Sequence, residues 1–298
     1  MPASSDAFWR LTVTLIKFLL PGILVLSCVA CARNHYPGAE PADAPEAKYF
    51  SSDFAPIPEE NRQAFAAGPI SAEEVLPFKD VHQLAAPGYM KTENGYVRLD
   101  DGTIYVAVKT DFPGASGEMI YWWFWWQAQK DIRYRIWCPG DHYSTGVADR
   151  EQMQNQQLSY RERCLNNTQY PVERIGPDVE KLTIRFVPPE SFGFDTSAFA
   201  DQGVEAVMCA IVGSRKFGLK VNHSCMVHLF RKKGDGLELR SRFWLGKKLR
   251  PRLLRKVFLP EETAADMYFH CSKEYNHLAA FLPDIYKEFA LSAANQQK

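Results

Sequence analysis

The sequence has no excess of charge of either sign. Its 298 residues carry 35 Lys and Arg against 35 Asp and Glu. A nucleic-acid-binding surface favours a basic chain, so we expect no nucleic acid partner. A Gly-rich phosphate loop of the P-loop or Rossmann kind is also missing, and nothing in the sequence indicates a nucleotide site of those kinds.

Cysteine is present, but its spacing excludes two familiar uses. The chain has seven cysteines, and two of them, Cys28 and Cys31, lie near the N-terminus. The other five resemble neither a zinc ribbon nor a small disulfide scaffold. If the protein is exported, one or two disulfides could form, and the sequence does not say which cysteines would pair.

The N-terminus is typical of an export signal. Arg10 and Lys17 precede a mostly apolar run over residues 18–32, and polar, proline-rich sequence follows. Val-Leu-Ser before Cys28 resembles a bacterial lipobox, with Cys31 as a weaker candidate for the lipidated cysteine. We therefore expect an exported, membrane-tethered lipoprotein of the periplasm or outer membrane. The run is short for a membrane helix of about 20 residues, but a single uncleaved anchor is the alternative.

Composition divides the chain into three parts. We expect residues 1–32 to be the leader or anchor, residues 33–48 to be a linker, and residues 49–298 to form one domain. Short amphipathic pieces mixed with proline over residues 49–90 predict a helical N-terminal arm of that domain.

From Gly95 onward the sequence favours β-strands. Residues 96–99 and 103–109 flank an Asp-Asp-Gly turn and predict a β-hairpin. Further strand-like segments follow at 133–137, 181–187, 204–212, 224–232 and 237–245. Many antiparallel strands followed by one long C-terminal helix predict an α+β domain.

The C-terminal helix contains the candidate metal ligands. Pro260 and two acids mark its start, and a sustained apolar stripe runs to Phe289. At about 100° per residue, His270, Glu274 and His277 project from the same side, within roughly 60° of one another. A His and a Glu one turn apart can present two ligand atoms to one Zn²⁺-like ion. A polar face in contact with water is the alternative interpretation. A curved sheet around the helix would leave a cavity that His270 and Glu274 could face.

Two other segments allow two interpretations each. Residues 119–127 hold four of the seven tryptophans, and they form either a packed helix that supports the sheet or the lining of an aromatic pocket. The basic run over residues 247–256 is either a solvated connection or, in a tethered protein, a contact with anionic lipid.

Five ordered motifs resemble one enzyme family. They are Trp-Trp-Phe-x-Trp at 122–126, Arg-Tyr-Arg-Ile-Trp-x-Pro at 133–139, Val-Glu-x-Ile-Gly at 172–176, Arg-Ser-Arg-Phe-Trp-Leu-Gly at 240–246 and His-x-x-x-Glu at 270–274. In this order they are similar to the diacetylphloroglucinol hydrolase family, which includes phloretin hydrolase. The resemblance implies a helix-grip (Bet v 1-like) fold, in which a curved antiparallel sheet wraps around a long C-terminal helix. It also implies Zn²⁺, or another divalent metal, and hydrolysis of a carbon–carbon bond between an acyl group and a phenolic ring.

The resemblance also implies a ligand set of two His and two Glu. Three ligands have counterparts at Glu173, His270 and Glu274, whereas Gln127 stands where the resemblance places the fourth, a His. Gln is a weaker ligand for Zn²⁺ than imidazole. Two residues could replace it: His277, on the same helix face, or His142, after a probable strand.

Further site residues follow from the same resemblance. His228 matches a His of the family's cavity and is the candidate catalytic residue, although it could also be an ordinary strand His with its hydrogen bonds satisfied. Phe243 stands where the phloroglucinol-acting enzyme is expected to have a catalytic Tyr. The expected substrate pocket is formed by Met119, Trp122, Trp123, Trp126 and Phe243.

Two functions remain open from the sequence. One is metal-dependent carbon–carbon hydrolysis of a small aromatic, acylphenol-like substrate. The other is a non-catalytic protein that binds aromatic or apolar ligands on the same scaffold, with a degenerate metal site. A homodimer is compatible with both functions.

Overall fold

The computed structural model describes residues 44–216 and 219–291. These residues belong to one compact unit, which spans residues 40–298. The predicted leader and most of the predicted linker lie outside the described residues. Within the described ranges, no helix has both the length and the apolar character that crossing a membrane requires.

Nine strands of the described residues form one antiparallel sheet. Their order is β1-β2-β9-β8-β7-β6-β5-β3, and β4 pairs with β6. The strands are β1 (Gly95–Arg98), β2 (Ile104–Phe112), β3 (His142–Ser144), β4 (Thr168–Gln169), β5 (Val172–Ile175), β6 (Asp178–Val187), β7 (Val204–Lys216), β8 (Leu219–Lys233) and β9 (Gly236–Leu245).

The helices lie before, between and after the strands. The α-helices are α1 (Glu59–Ala67), α2 (Gly117–Trp126), α3 (Asp131–Arg135), α4 (Arg150–Gln154), α5 (Tyr160–Cys164), α6 (Leu254–Phe258) and α7 (Thr263–Tyr286), and a π-helical turn (Lys287–Leu291) follows α7. Short 3-10 helices occur at Pro45–Tyr49, Ala72–Glu74, Phe78–Ala85, Gln127–Gln129, Pro189–Phe192 and Thr196–Ala198.

Both faces of the sheet are buried, by different elements. Alternate residues of β2 such as Ile104 and Val106 point to the concave face, where they join the core that also contains Tyr275 and Leu282 of α7. Residues of the opposite parity, such as Tyr105, join a second core under the N-terminal arm. The long helix is therefore enclosed by the curved sheet, and the expected helix-grip α+β fold is confirmed.

A buried ion-pair network holds the segment that follows the N-terminal arm to the outer face of the sheet. Glu93 binds two fully buried arginines of β9, at 2.5 Å from Arg240 Nη2 and 2.6 Å from Arg242 Nη2. Burial alone would raise the pKa of the Glu93 carboxyl. The two arginine charges and their hydrogen bonds outweigh burial and hold that pKa at about 2.

The predicted hairpin is confirmed, because β1 and β2 pair antiparallel across the turn. The predicted strand at residues 133–137 is wrong, since residues up to Arg135 form α3. A pattern over five residues does not separate a strand from a short helix, and α3 buries Ile132 and Tyr134. All cysteines within the described ranges are buried and free of disulfides.

Candidate metal centre

Three elements bring two imidazoles and two carboxyl groups together. His142 on β3 and Glu173 on β5 are direct cross-strand partners, so their side chains leave the sheet on the same face. His270 and Glu274 lie one turn apart on α7. His142 Nε2 lies 3.4 Å from Glu274 Oε2 and 3.7 Å from Glu173 Oε2, and His270 Nε2 lies 3.8 Å from Glu274 Oε2. These four residues, all buried, are called the ligand cluster below.

The ligand cluster fits a divalent cation. Ligand atoms of His142, His270 and Glu274 all lie within 4.8 Å of one another. The Nε2 atoms of both imidazoles are buried without a hydrogen-bond partner, which is costly unless something else uses their lone pairs. His142 Nδ1 lies 3.1 Å from the Tyr134 carbonyl oxygen. Donation of that N–H leaves Nε2 as a lone-pair ligand, the usual arrangement of a metal-binding His.

Burial makes the ligand cluster electrostatically unfavourable without a cation. It raises the pKa of Glu173 to about 7. Burial also raises the pKa of Glu274, and the negative charge of Glu173 raises that pKa further. Burial lowers the pKa of His270 to about 4 and lowers that of His142 as well, so both imidazoles are neutral. A positive ion among these groups would stabilise both carboxylates.

Two aromatic residues fix the orientation of the ligands. The Tyr134 ring stacks on the His142 ring with centroids 4.1 Å apart and planes 5° apart. The Tyr134 hydroxyl donates a hydrogen bond to Glu173. Trp137 meets the His142 ring edge-on at 5.2 Å, and its Nε1 donates to the Glu274 carbonyl oxygen at 3.1 Å. Neither residue was predicted as part of the site, although both lie within one of the quoted motifs.

The second imidazole of the ligand cluster comes from His142. Gln127, expected at the fourth position, donates from Nε2 to Gln169 Oε1 at 2.9 Å. The ligand cluster already contains two His and two Glu, the number that the family resemblance implies, without a side chain from Gln127. His277 packs its ring against Phe54 at 4.7 Å and Phe281 at 5.3 Å, and its Nδ1 and Nε2 have no hydrogen-bond partner.

The candidate catalytic His lies on the concave face of the sheet. His228 on β8 is paired with Ser241 on β9, and its Nδ1 lies 2.8 Å from the Ser241 hydroxyl. Its ring lies 4.8 Å from Tyr275 of α7 and 5.5 Å from Phe243. Burial lowers the pKa of His228 to about 3, so this imidazole is also neutral.

The tryptophan run forms α2 and largely packs into the core. Trp122 and Trp126 stack at 5.0 Å. Trp122 contacts Tyr286, the last residue of α7, and Trp126 contacts Phe289 of the following π-helical turn, at 5.2 Å each. Trp123 meets Trp137 edge-on at 5.9 Å. Trp122 and Trp126 thus support α7, whereas Trp123 contacts the ring that orients His142.

Other residues of the run take different positions. Met119 is half-buried at the edge of the core. Phe124, which was not predicted for the pocket, stacks on His228 at 6.3 Å and contacts Trp137 at 5.9 Å. The aromatic residue of α2 that reaches the candidate catalytic His is therefore Phe124.

Comparison with known proteins identifies the family. Residues 76–287 match the family described as the DAPG hydrolase PhiG domain. The chain belongs to this family. The 2,4-diacetylphloroglucinol hydrolase of Pseudomonas protegens is 32% identical over 270 residues, which cover 84% of this chain and 86% of the relative. The phloretin hydrolase of Eubacterium ramulus is 30% identical over 254 residues, 81% of this chain and 89% of the relative.

Membership of the DAPG hydrolase family confirms the predicted resemblance and the expected class of enzyme, a hydrolase. Among solved structures, Ara h 8.0201 aligns with a TM-score of 0.38 at 7% identity, covering 60% of this chain and 97% of that one. Human STARD10 aligns with a TM-score of 0.36 at 10% identity, covering 82% and 88%. Both scores are low, so the fold assignment rests on the strand order and the long helix described above.

Proposed function

We propose that this hydrolase requires a divalent metal ion, with Zn²⁺ the best match, and cleaves the carbon–carbon bond between an acyl group and a phenolic ring. The observation that carries the proposal is the ligand cluster of His142, Glu173, His270 and Glu274. Two neutral imidazoles and two carboxylates form a donor set that suits Zn²⁺. When bound, the ion would polarise the ketone carbonyl and lower the pKa of water.

The net reaction adds one water across the carbon–carbon bond. The acyl carbon gains the hydroxyl and leaves as a carboxylic acid, and the ring carbon gains a proton. A phenolic ring tolerates departure as a carbanion because its keto tautomer accepts the charge. Proton delivery to that carbon is then the task that the protein must perform.

His228 is suited to that task. As a neutral imidazole it has one N–H and one acceptor nitrogen, so it can release one proton and take another. Ser241 fixes the ring through Nδ1, and the contacting rings of Phe124 and Tyr275 limit access of water. Phe243 beside it has no hydroxyl, which favours an acylphenol that needs no hydrogen bond at that point.

The relatives supply the substrate class. Their names specify two phenolic ketones, 2,4-diacetylphloroglucinol and phloretin, and we extend that class to this chain. The non-catalytic alternative rested on a metal site lacking one ligand at Gln127 and on the missing hydroxyl at Phe243. His142 offers a second imidazole to the ligand cluster, which weighs against the first of these two reasons.

The proposal is tested on the full chain, stripped of metal with a chelator and reloaded with Zn²⁺. We expect one ion per chain and release of a carboxylic acid and a phenol from an acylphenol panel that includes both relatives' substrates. Glu274→Gln should lose metal and turnover together. His228→Gln should keep the metal and lose turnover, which separates proton transfer from metal binding.

The matched control is His277→Gln, a buried His of the same helix outside the ligand cluster. It should retain both metal and turnover. A stoichiometrically loaded wild-type protein that turns over none of the acylphenols would overturn the proposal. So would full activity in a protein shown by elemental analysis to be free of metal.

A further inference from the structure

The connection between β9 and α7 exposes apolar side chains to solvent. Leu253 is 76% exposed and Val257 is 71% exposed, the highest values among the large apolar residues that the structure describes. Phe258, the last residue of α6, is 56% exposed. Apolar groups clustered in this way within six residues are unusual on a free surface. We call residues 247–258 the basic loop.

The same segment is strongly cationic. It contains six Lys or Arg residues and no acidic residue. Arg255 points inward, is 2% exposed, and binds Asp101 and the Thr103 hydroxyl. The exposed cations that remain are Lys248, Arg250, Arg252 and Lys256. The apolar tip is therefore surrounded by positive charge.

The basic loop is fixed to the body of the domain. The inward Arg255 is one of its anchors. A second is the Lys248 backbone N–H, which donates a hydrogen bond to the His223 carbonyl oxygen at 2.9 Å. Arg98 Nη2 donates to the Lys256 carbonyl oxygen at 3.1 Å, and Leu259 is buried immediately after the loop. These contacts hold the apolar tip outward, so its exposure is part of the fold.

We propose that the basic loop docks the domain on an anionic lipid bilayer, with Leu253, Val257 and Phe258 inserted at the headgroup level. Apolar side chains flanked by Lys and Arg match such a surface in both hydrophobicity and charge. A second copy of the chain fits less well, since a twofold contact would place the same cations against each other. The expected tether in residues 18–32 would hold the domain near the membrane, because the linker expected over residues 33–48 reaches at most about 58 Å.

The test is flotation of the full chain with vesicles of phosphatidylcholine alone or mixed with phosphatidylglycerol. One variant removes charge (Lys248→Gln, Arg252→Gln and Lys256→Gln together), and one removes the apolar tip (Leu253→Ser, Val257→Ser and Phe258→Ser together). The matched control removes three exposed cations elsewhere, with Arg150→Gln, Arg185→Gln and Lys232→Gln. All variants share the same N-terminus, so differences between them report the basic loop alone.

We expect wild type and control to bind the anionic vesicles more tightly than the neutral ones. Each charge near such a surface is worth about a fivefold change in partition, so the charge variant should bind roughly 100-fold more weakly. Added salt should weaken wild type and leave the charge variant nearly unchanged. The apolar variant should bind weakly to both vesicle types while its metal content stays that of wild type.

Equal vesicle binding by wild type and both loop variants would overturn the proposal, because the N-terminal run would then account for all binding. Absence of binding by wild type would also overturn it. So would a wild-type dimer in vesicle-free sedimentation that the apolar variant abolishes, since a second copy would then cover the tip. Metal-dependent turnover on soluble substrate is measured separately and tests only the proposed function.

Discussion

Replacing His142 with Gln separates two assignments of the fourth metal ligand. The family resemblance implies that ligand at position 127, whereas the structure brings His142 within 3.4 Å of Glu274 and 3.7 Å of Glu173. Gln fills a volume similar to that of His but offers only an amide in place of imidazole. The His142→Gln protein should therefore fold and bind Zn²⁺ weakly.

The expected size of the loss follows from the ligand count. Structural zinc sites have apparent binding free energies of about 10–16 kcal/mol, and here four ligands share that energy. One ligand then accounts for about 3 kcal/mol, or roughly 150-fold in the dissociation constant. Competition with a chromophoric chelator measures this difference directly, and elemental analysis gives the number of ions per chain.

Two matched substitutions control for general damage. His277→Gln makes the same chemical change at another buried His, whose ring contacts only Phe54 and Phe281 among the described aromatic residues. Gln127→Ala removes the amide that binds Gln169. Both should keep wild-type affinity for Zn²⁺. The assignment fails if His142→Gln binds Zn²⁺ like wild type, or if Gln127→Ala loses the ion while His142→Gln keeps it.

Three further outcomes are expected. In the metal-free protein Glu173, whose pKa is raised to about 7, holds a proton below neutrality. The pKa of Glu274 is raised as well. Metal binding displaces protons from these carboxyl groups, so affinity should rise at least about tenfold per pH unit as pH increases toward 7. An affinity independent of pH would contradict this. Tyr134→Phe removes the hydroxyl that donates a hydrogen bond to Glu173. Such a charge-assisted bond is worth about 2 kcal/mol, so the affinity for Zn²⁺ in the same competition assay should fall about 30-fold. Glu93→Gln leaves two buried arginines without a counter-charge and should lower the free energy of unfolding in urea by about 3 kcal/mol at neutral pH. Because the folded pKa of Glu93 is depressed from 4.5 to about 2, its contribution is present above pH 4.5 and lost as pH falls toward 2, so wild type and variant should converge in that range.

Much of the fold could be predicted because its signals are local. The apolar stripe of the last helix and the turn between β1 and β2 are each complete within one short segment. The wrong prediction of a strand at α3 also comes from reading one short segment by itself. The four residues Arg-Tyr-Arg-Ile over 133–136 alternate as a strand would, and only tertiary packing that buries Ile132 and Tyr134 decides for a helix.

In the candidate site, too, one pair of residues follows from local spacing and the other pair depends on tertiary structure. His270 and Glu274 are one helical turn apart, so their proximity follows from the helix alone. His142 and Glu173 are neighbours only because β3 pairs with β5 in one register, and a shift of one residue would turn His142 to the other face. Since no short-range signal sets that register, the sequence left His142 as one of two possible replacements for a missing ligand.

The origin of the four residues of the ligand cluster implies that the proposed cation would stabilise the fold as well as serve the chemistry. Two ligands come from short strands at the edge of the sheet, and two come from the central helix. Strands of three and four residues have few hydrogen bonds to hold them. Burial raises the pKa values of both Glu173 and Glu274, and the charge of Glu173 raises that of Glu274 further. Binding of the proposed metal would reverse that effect and connect the sheet edge to the helix, so we expect the metal-loaded protein to be more stable than the metal-free one.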